Sequence, residues 1–573
     1  MMNRPTSRTS LRSAFRSEEG SALIVILAVS VLLSLLVGVA FSVARQSIAV
    51  ADETEEYNAA LAAAEAGLDD YLFRLNSIDA YWQYPAAGTP PDNNQAFDNF
   101  VPIPGGETDT NQEDIGMFTY TVDASQLTAT GVIWLTATGC APGPCDINTG
   151  PTDAQEFRTL QSSFSLESFL DYVYFTDFES SPPVIYPGLF GISETQARTD
   201  CSRHRWATPG PAGYCTDIRF TSGDVINGPF HTNDRFIVDG NPRWLEEATT
   251  SDPVDPHYDL RAGTPQFDGG EPTPRSPLNF PSTNSAIRFD ADHISNPSAE
   301  GCLFTGPTEI VISGGNLLVR SPLTQDSGPG CGLWPAGNNV RTIPIPPNGV
   351  VYVQDQPPSG PNGGNCTTGN SNALGYPWGG DDSEYPCGAG DAFVEGTLDG
   401  RLTIAAEKDV YITWHTEYAG GNDMLGLVAN DLVQVYHPTD YYGCTNCGNS
   451  NRRDYYANLN AGPRHPGSLF RNPRIDAALL SVQNSFMVQN YNHGHIRGTT
   501  QCAGDLGDLT INGAIAQRFR GPVGTGSAFS TCTGYLKDYN YDQRLRFINP
   551  PSFIDPVDAV WRISRYSEVL ANS

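Results

Sequence analysis

The stretch Gly20-Ser21-Ala22-Leu23-Ile24-Val25-Ile26-Leu27-Ala28-Val29-Ser30, which runs on to Phe41-Ser42-Val43, decides how the rest of the chain is organised. From Ser21 to Val43 no residue carries a charge. At about 1.5 Å per helical residue this segment covers the ~30 Å of hydrocarbon in a bilayer, so it reads as a membrane span. Arg4, Arg8, Arg12 and Arg16 precede it, which predicts a cytoplasmic N-terminus (the leader, 1–20) and an extracytoplasmic body. A secretory signal has a shorter apolar core and a small-residue cleavage site. Here the apolar run leads into Arg45 and an acidic helical stretch, so removal of the whole segment is not expected.

The helix is predicted to continue beyond the membrane. No proline falls between Pro5 and Pro85, and nothing else breaks the pattern. Tyr57, Leu61, Ala64, Leu68, Leu72 and Leu75 recur at intervals of three or four, with Glu65, Asp69 and Asp70 off the stripe. One helix is therefore expected from Ser21 to Asn76. Residues 21–43 are apolar all round and suit lipid; residues 44–76 are amphipathic and suit packing under a globular head.

Gly20-Ser21-Ala22-Leu23-Ile24-Val25, the apolar run, and Ala63-Ala64-Glu65-Ala66-Gly67-Leu68 together resemble the N-terminal segment of PilX-type minor type IV pilins, over about residues 15–76. The resemblance implies cleavage after Gly20 by a prepilin peptidase, N-methylation of Ser21, and insertion into a pilus or pseudopilus. Partners would be other pilin subunits, the assembly machinery and the membrane. Major pilins carry glutamate at the fifth mature position and begin with Phe or Met; this chain has Val25 and Ser21 there. In the family that departure accompanies low-abundance or tip subunits, so a minor or tip-like role is implied.

Composition bounds the remainder. The 573 residues suggest two or three domains. A net charge of -31, from 64 acidic and 33 basic side chains, repels phosphate backbones and excludes nucleic acid as a natural partner. Only Lys408 and Lys537 are lysines. With 57 Gly and 44 Pro the chain is rich in turns, and a mainly β body is expected. Residues 77–115 read as a long loop. Met117–Val122, Val132–Thr138 and Phe157–Leu166 read as strands of a small antiparallel sheet on the outer helix, giving a pilin-like head over 77–180. The aromatic segment Ser168–Asp177 is expected to be buried where two domains meet.

Over 181–554, short apolar runs bounded by Gly, Asn, Asp or Pro recur, among them Phe236–Val238, Val350–Val353, Leu425–Ala429 and Ala477–Val482. Asn227-Gly228 and Asn512-Gly513 look like repeated corners. The expectation is a β-solenoid, a right-handed β-helix, with β-sandwiches as the alternative. Asp555-Pro556 opens a predicted C-terminal helix over 555–573, with Val557, Val560, Trp561 and Ile563 as its apolar face.

Twelve cysteines fall as near neighbours: Cys140 and Cys145, Cys201 and Cys215, Cys302 and Cys331, Cys366 and Cys387, Cys444 and Cys447, Cys502 and Cys532. Loop disulfides suit an oxidising exterior, although spacing alone leaves connectivity open. Cys444-Thr445-Asn446-Cys447 has no second CxxC to complete a zinc set and no βαβ context, so a loop disulfide is favoured over a redox or metal role.

Other chemistry is sparse. His493-Gly494-His495 sits in an Asn-rich loop, and Asp538-Tyr539-Asn540-Tyr541-Asp542 imitates a calcium loop but has Gln543 at the required glycine. His231-Thr232-Asn233-Asp234, after a Gly-Pro corner, is polar enough for ligand contact, with a hydrogen-bonding network at a rung corner as the favoured reading. No nucleophile elbow, phosphate loop or dinucleotide fingerprint occurs. No catalytic residue, metal or cofactor is expected, and the chain is read as a non-enzyme. Its predicted role is assembly, tip display or adhesion to a cell-surface or glycan ligand. The alternatives are a membrane-tethered β-helix enzyme acting on polysaccharide through paired carboxylates, and an unassembled structural envelope protein.

Overall fold

The structure, a computed structural model, describes residues 21–573 except 79, 105–115, 126, 128–131, 148–151, 153–154, 333, 335–338, 358–373, 375, 377–384, 442–454, 458–463, 493–505, 528–529, 558 and 570–573. The chain is mainly β with one long N-terminal helix, and it divides into two compact units. The first comprises 1–125, 133–164 and 563–573; the second comprises 126–132 and 165–562.

In the first unit a single helix runs Ser21–Ser77 without a break. Its segment Val25–Val43 has a mean hydropathy of 2.7 and no buried residue, and is long and apolar enough to cross a membrane. The outer part lies on a five-stranded sheet in the order Val101–Pro102, Met117–Asp123, Val132–Ala141, Glu156–Leu166, Trp561–Val569. All three strands expected here are present.

The buried helix stripe is Ala60, Ala63, Ala64, Leu68, Tyr71 and Leu75, rotated from the predicted one so that Tyr57, Leu61 and Leu72 are half-buried flanks. Small residues explain the rotation. A Cβ on Gly139 would stand 2.0 Å from the Ala60 carbonyl oxygen and 2.3 Å from the Ala64 nitrogen, so helix backbone and strand backbone touch there. A Cβ on Gly67 would stand 3.1 Å from the Phe118 ring, so that side chain packs close against the helix. The Ala63–Leu68 motif thus sets the depth of docking, and Tyr71 fills the adjacent space edge-on to Tyr120 and Phe164.

The C-terminus departs from expectation. Trp561–Val569 is a strand beside Glu156–Leu166, not part of a helix. Val557 and Val560 stay exposed, so the supposed apolar helix face has nothing to cover it. Trp561 and Ile563 alternate with polar residues at period two, and an open sheet edge supplies their backbone partners.

In the second unit a 21-stranded sheet is held mostly by parallel pairings. One row of residues passes Leu303–Tyr352–Ala405–Val428–Leu480–Ala516–Phe175–His231–Thr249–Thr273, each paired with the next. The row one residue earlier, Cys302–Val351–Ile404–Leu427–Leu479–Ile515–Tyr174–Phe230–Ala248, points to the opposite face and forms the main core. The first row is not left to solvent. Leu278, Phe280, Ile287 and Ala291 cover it together with Phe169 and Tyr172.

Order along this ladder is not chain order. Tyr174–Phe178 lies between Asp508–Phe519 and Phe230–Thr232, so the run from 174 to 274 and the run from 302 to 541 meet in mid-sheet. Leu536–Tyr541 likewise pairs with Val225–Asn227. The head was expected to extend to residue 180, but the aromatic segment from Ser168 onward belongs entirely to the second unit, because Tyr174 and Phe175 pair on both sides within its sheet. Asn512-Gly513 is also no corner. Gly513 lies inside Asp508–Phe519, where a Cβ would meet the Ala477 carbonyl oxygen at 1.9 Å.

Candidate functional site

The junction of the two runs carries a cavity of about 420 Å³. Arg219–Thr221, the following turn to Asp224, Phe236–Asp239, residues 522–526 at the start of the strand Gly524–Ser527, and Leu536–Tyr541 frame it. Parallel pairing fixes these pieces side by side: Thr221 lies opposite Asp239, and Asp538 opposite Val225.

Every carboxylate of the cavity faces a cation. Asp239 pairs with Arg219 at 2.6 Å, Asp217 with Arg205 at 2.6 Å, and Asp224 with Lys537 at 2.7 Å. Asp224 Oδ2 also accepts the Thr221 N–H at 2.9 Å. Burial pushes the Lys537 ammonium down from its ordinary pKa, and the Asp224 carboxylate offsets this only in part. Behind the cavity Glu179 and Arg520, both buried, pair at 2.8 Å, with the guanidinium 3.6 Å over the Phe220 ring. Ser181, Thr216, Thr221, Thr525 and Tyr491 are also among the lining residues. Each of these carboxylates is thus engaged by a cation.

None of these residues was singled out in the sequence as a site. The one available signal was the scarcity of lysine, which marks Lys537 as a position where a primary amine is retained against the trend.

The residues that were singled out are dispersed. Gly20 lies outside the described residues, and Ser21 begins the helix. Cys140–Cys145, Cys201–Cys215 and Cys302–Cys331 are disulfides, and Cys387 is disulfide-bonded. Cys366, Cys444, Cys447, Cys502, His493 and His495 lie outside the described residues, and Cys532 is described only as part of the strand Ser530–Gly534. The calcium-loop mimic is strand Leu536–Tyr541, with Tyr539 and Tyr541 turned into the core. No group of three metal-ligating side chains occurs among the described residues.

His231 to Asp234 form the buried network. His231 Nδ1 is 2.8 Å from Thr249 Oγ1 and Nε2 is 3.3 Å from Asn233 Oδ1. Asn233 donates to Asp177 Oδ1 and to the Leu278 carbonyl, and Asp234 accepts the Glu179 and Arg235 N–H groups. Burial, aided by the Arg275 charge, pushes His231 down to about 3. Burial pushes Asp234 up to about 7.

The signs of the two oppose. His231, depressed in the fold, contributes stability that is present above about 6.5 and lost as pH falls toward 3; Asp234, raised, contributes stability present below its unfolded value and lost as pH rises through about 7. The uncharged rings of Tyr172 and Phe175 flank His231, so Arg275 is the charge acting on it. His231→Phe keeps the ring stack and removes the titration. Denaturant unfolding at pH 7 and pH 4 is expected to show the wild type losing a few kcal/mol more than the variant on acidification.

No family model matches this chain, and no curated protein matches it. Among solved structures it is similar to the competence-associated pilin ComZ from Thermus thermophilus, at 11% identity, covering 90% of this chain and 98% of that one with a TM-score of 0.24. A likeness of that size carries no argument about fold or role.

Proposed function

We propose that the protein is a pilin-like surface subunit, anchored by residues 21–43 with its N-terminus in the cytoplasm, and placed at a minor or tip position of a type IV pilus or pseudopilus. The observation that carries this reading is the unbroken helix Ser21–Ser77, exposed and apolar along Val25–Val43 and docked on a small sheet through Ala60–Leu75. One element thereby offers a lipid- or bundle-facing stalk and the spine of a head. Cleavage after Gly20 and methylation of Ser21 go with it, as do other pilin subunits and the assembly machinery as partners.

The second unit is read as a β-solenoid, because parallel pairing carries one residue row through ten strands. Its role is display and adhesion, with the cavity as the binding site for a cell-surface glycan. The Asp239–Arg219 and Asp217–Arg205 ion pairs support binding over hydrolysis.

Mass spectrometry of the mature chain, co-expressed with a prepilin peptidase, is the test. The expected N-terminus is methylated Ser21, with the unprocessed chain accumulating in a Gly20→Glu variant. An intact Met1 in both would replace this reading with that of a plain anchored envelope protein.

A further inference from the structure

Both lysines of this chain are placed against aspartates, and the two settings differ. Lys408 Nζ is 3.5 Å from Asp409. Burial opposes its charge, but Asp391, Asp409 and Asp431 outweigh that and hold its pKa above the ordinary value, so it keeps its proton. Among the described residues, Lys537 pairs with Asp224 at 2.7 Å. Its amine lies 5.7 Å from the Phe220 ring centre, and the Arg520 charge stands near. Burial thus lowers the pKa of Lys537 where that of Lys408 is raised, and the neutral amine is the nucleophilic form of lysine.

The geometry is fixed by backbone on both sides. Leu536–Tyr541 pairs with Val225–Asn227, Asp538 opposite Val225, which brings Lys537 and Asp224 into register one residue earlier. Asp224 is 3% exposed, and its Oδ2, the atom nearest Nζ, also accepts the Thr221 N–H. An amine in contact with a largely buried carboxylate, with a backbone donor on the same carboxyl oxygen, is an arrangement for acyl transfer.

We propose that Lys537 Nζ and Asp224 Cγ condense into an intramolecular isopeptide bond. The proton of the ammonium passes to the carboxylate, and the neutral amine attacks Cγ. The Thr221 N–H faces the charge that develops on Oδ2, the bond to the other carboxyl oxygen breaks, and one water leaves. Ammonium plus carboxylate gives amide plus water, so atoms, charge and electrons balance with no further reactant. In bulk water the free ions are favoured. Holding the pair in contact is worth effective molarities of about 10⁵ M or more, which works against that preference.

The bond would join residues 313 apart in the chain. It sits at the junction of the 174–274 and 302–541 runs, which the hydrogen bonds of the ladder and the Glu179–Arg520 ion pair also join. A covalent tie there would keep the two runs from sliding apart under load, and closing so long a loop removes much denatured-state freedom.

Intact mass spectrometry of the purified full chain, reduced and denatured, tests the proposal directly. The expected mass is one water below that of the corresponding sequence, and a branched peptide holding both residues should appear after digestion. Amine labelling of the denatured chain should reach Lys408 and not Lys537. Lys537→Arg keeps a cation opposite Asp224 and should restore the full mass with the far-UV circular dichroism unchanged. Asp224→Ala should restore the mass as well. A wild-type mass with no water missing and two labelled lysine side chains would overturn the proposal and leave a simple ion pair.

Discussion

Glu179→Ala is expected to destabilise the second unit by about 3–5 kcal/mol, one of the two largest effects a single substitution should have on this protein. Glu179 and Arg520 are 0% and 1% exposed, and they pair at 2.8 Å. Arg520 Nη1 also donates to the Ile218 carbonyl, and Glu179 Oε1 accepts the Thr176 hydroxyl. Removing the carboxylate leaves a guanidinium buried over the Phe220 ring without its counter-charge, and neither water nor salt can reach it. The loss should be nearly independent of ionic strength, unlike that of an exposed pair. The double variant Glu179→Leu/Arg520→Met should recover much of it, because the cost lies in the orphaned charge more than in the missing attraction. Urea unfolding of the full chain in detergent, followed by tryptophan fluorescence, would read the difference. A loss below 1 kcal/mol, or one abolished by salt, would mean the pair is solvated.

Gly139→Val should undo docking of the helix in the first unit, at a cost of about 3 kcal/mol or more. The atoms in the way are the Ala60 carbonyl oxygen and the Ala64 nitrogen. Both are backbone inside a helix, so no rotamer change can make room, and the strand must withdraw from the helix. Tyr71 would then lose its contacts with Tyr120 and Phe164. Gly38→Ala is the matched control, since nothing lies within 4 Å of a Cβ there and it should be neutral. Limited proteolysis would separate them: new cleavage between Ala59 and Leu75 in the Gly139 variant, none in the control. Equal resistance in both would show that the close approach is not what holds the helix.

Much of the architecture was legible one segment at a time. The helix, its change from all-round apolar to amphipathic, and the three central strands of the first unit follow from periodicity and from the absence of proline. These depend on residues within a few positions of one another, where side-chain direction repeats at 3.6 or at 2. Three of the near-neighbour cysteine pairs are disulfides, but spacing alone had left their connectivity open. The small residues from Ala63 to Leu68 were visible as a motif, but what they are for was not; that needed Gly139, more than seventy positions away.

What local pattern could not supply is which strand lies beside which. A parallel ladder pairs each strand with any other of matching apolar character, and the runs in this chain are similar enough that sequence order looks like the natural choice. The structure instead inserts Tyr174–Phe178 beside Asp508–Phe519, and sends Trp561–Val569 to a sheet edge where a helix was expected. The cavity, the Glu179–Arg520 pair and the Lys537–Asp224 contact all arise from that ordering, between residues more than 300 apart. The sequence by itself determined the elements, because their hydrogen bonds and side-chain periods are local. Only the tertiary structure decided the site, because its charges are brought together by strand pairing that no short window of residues encodes.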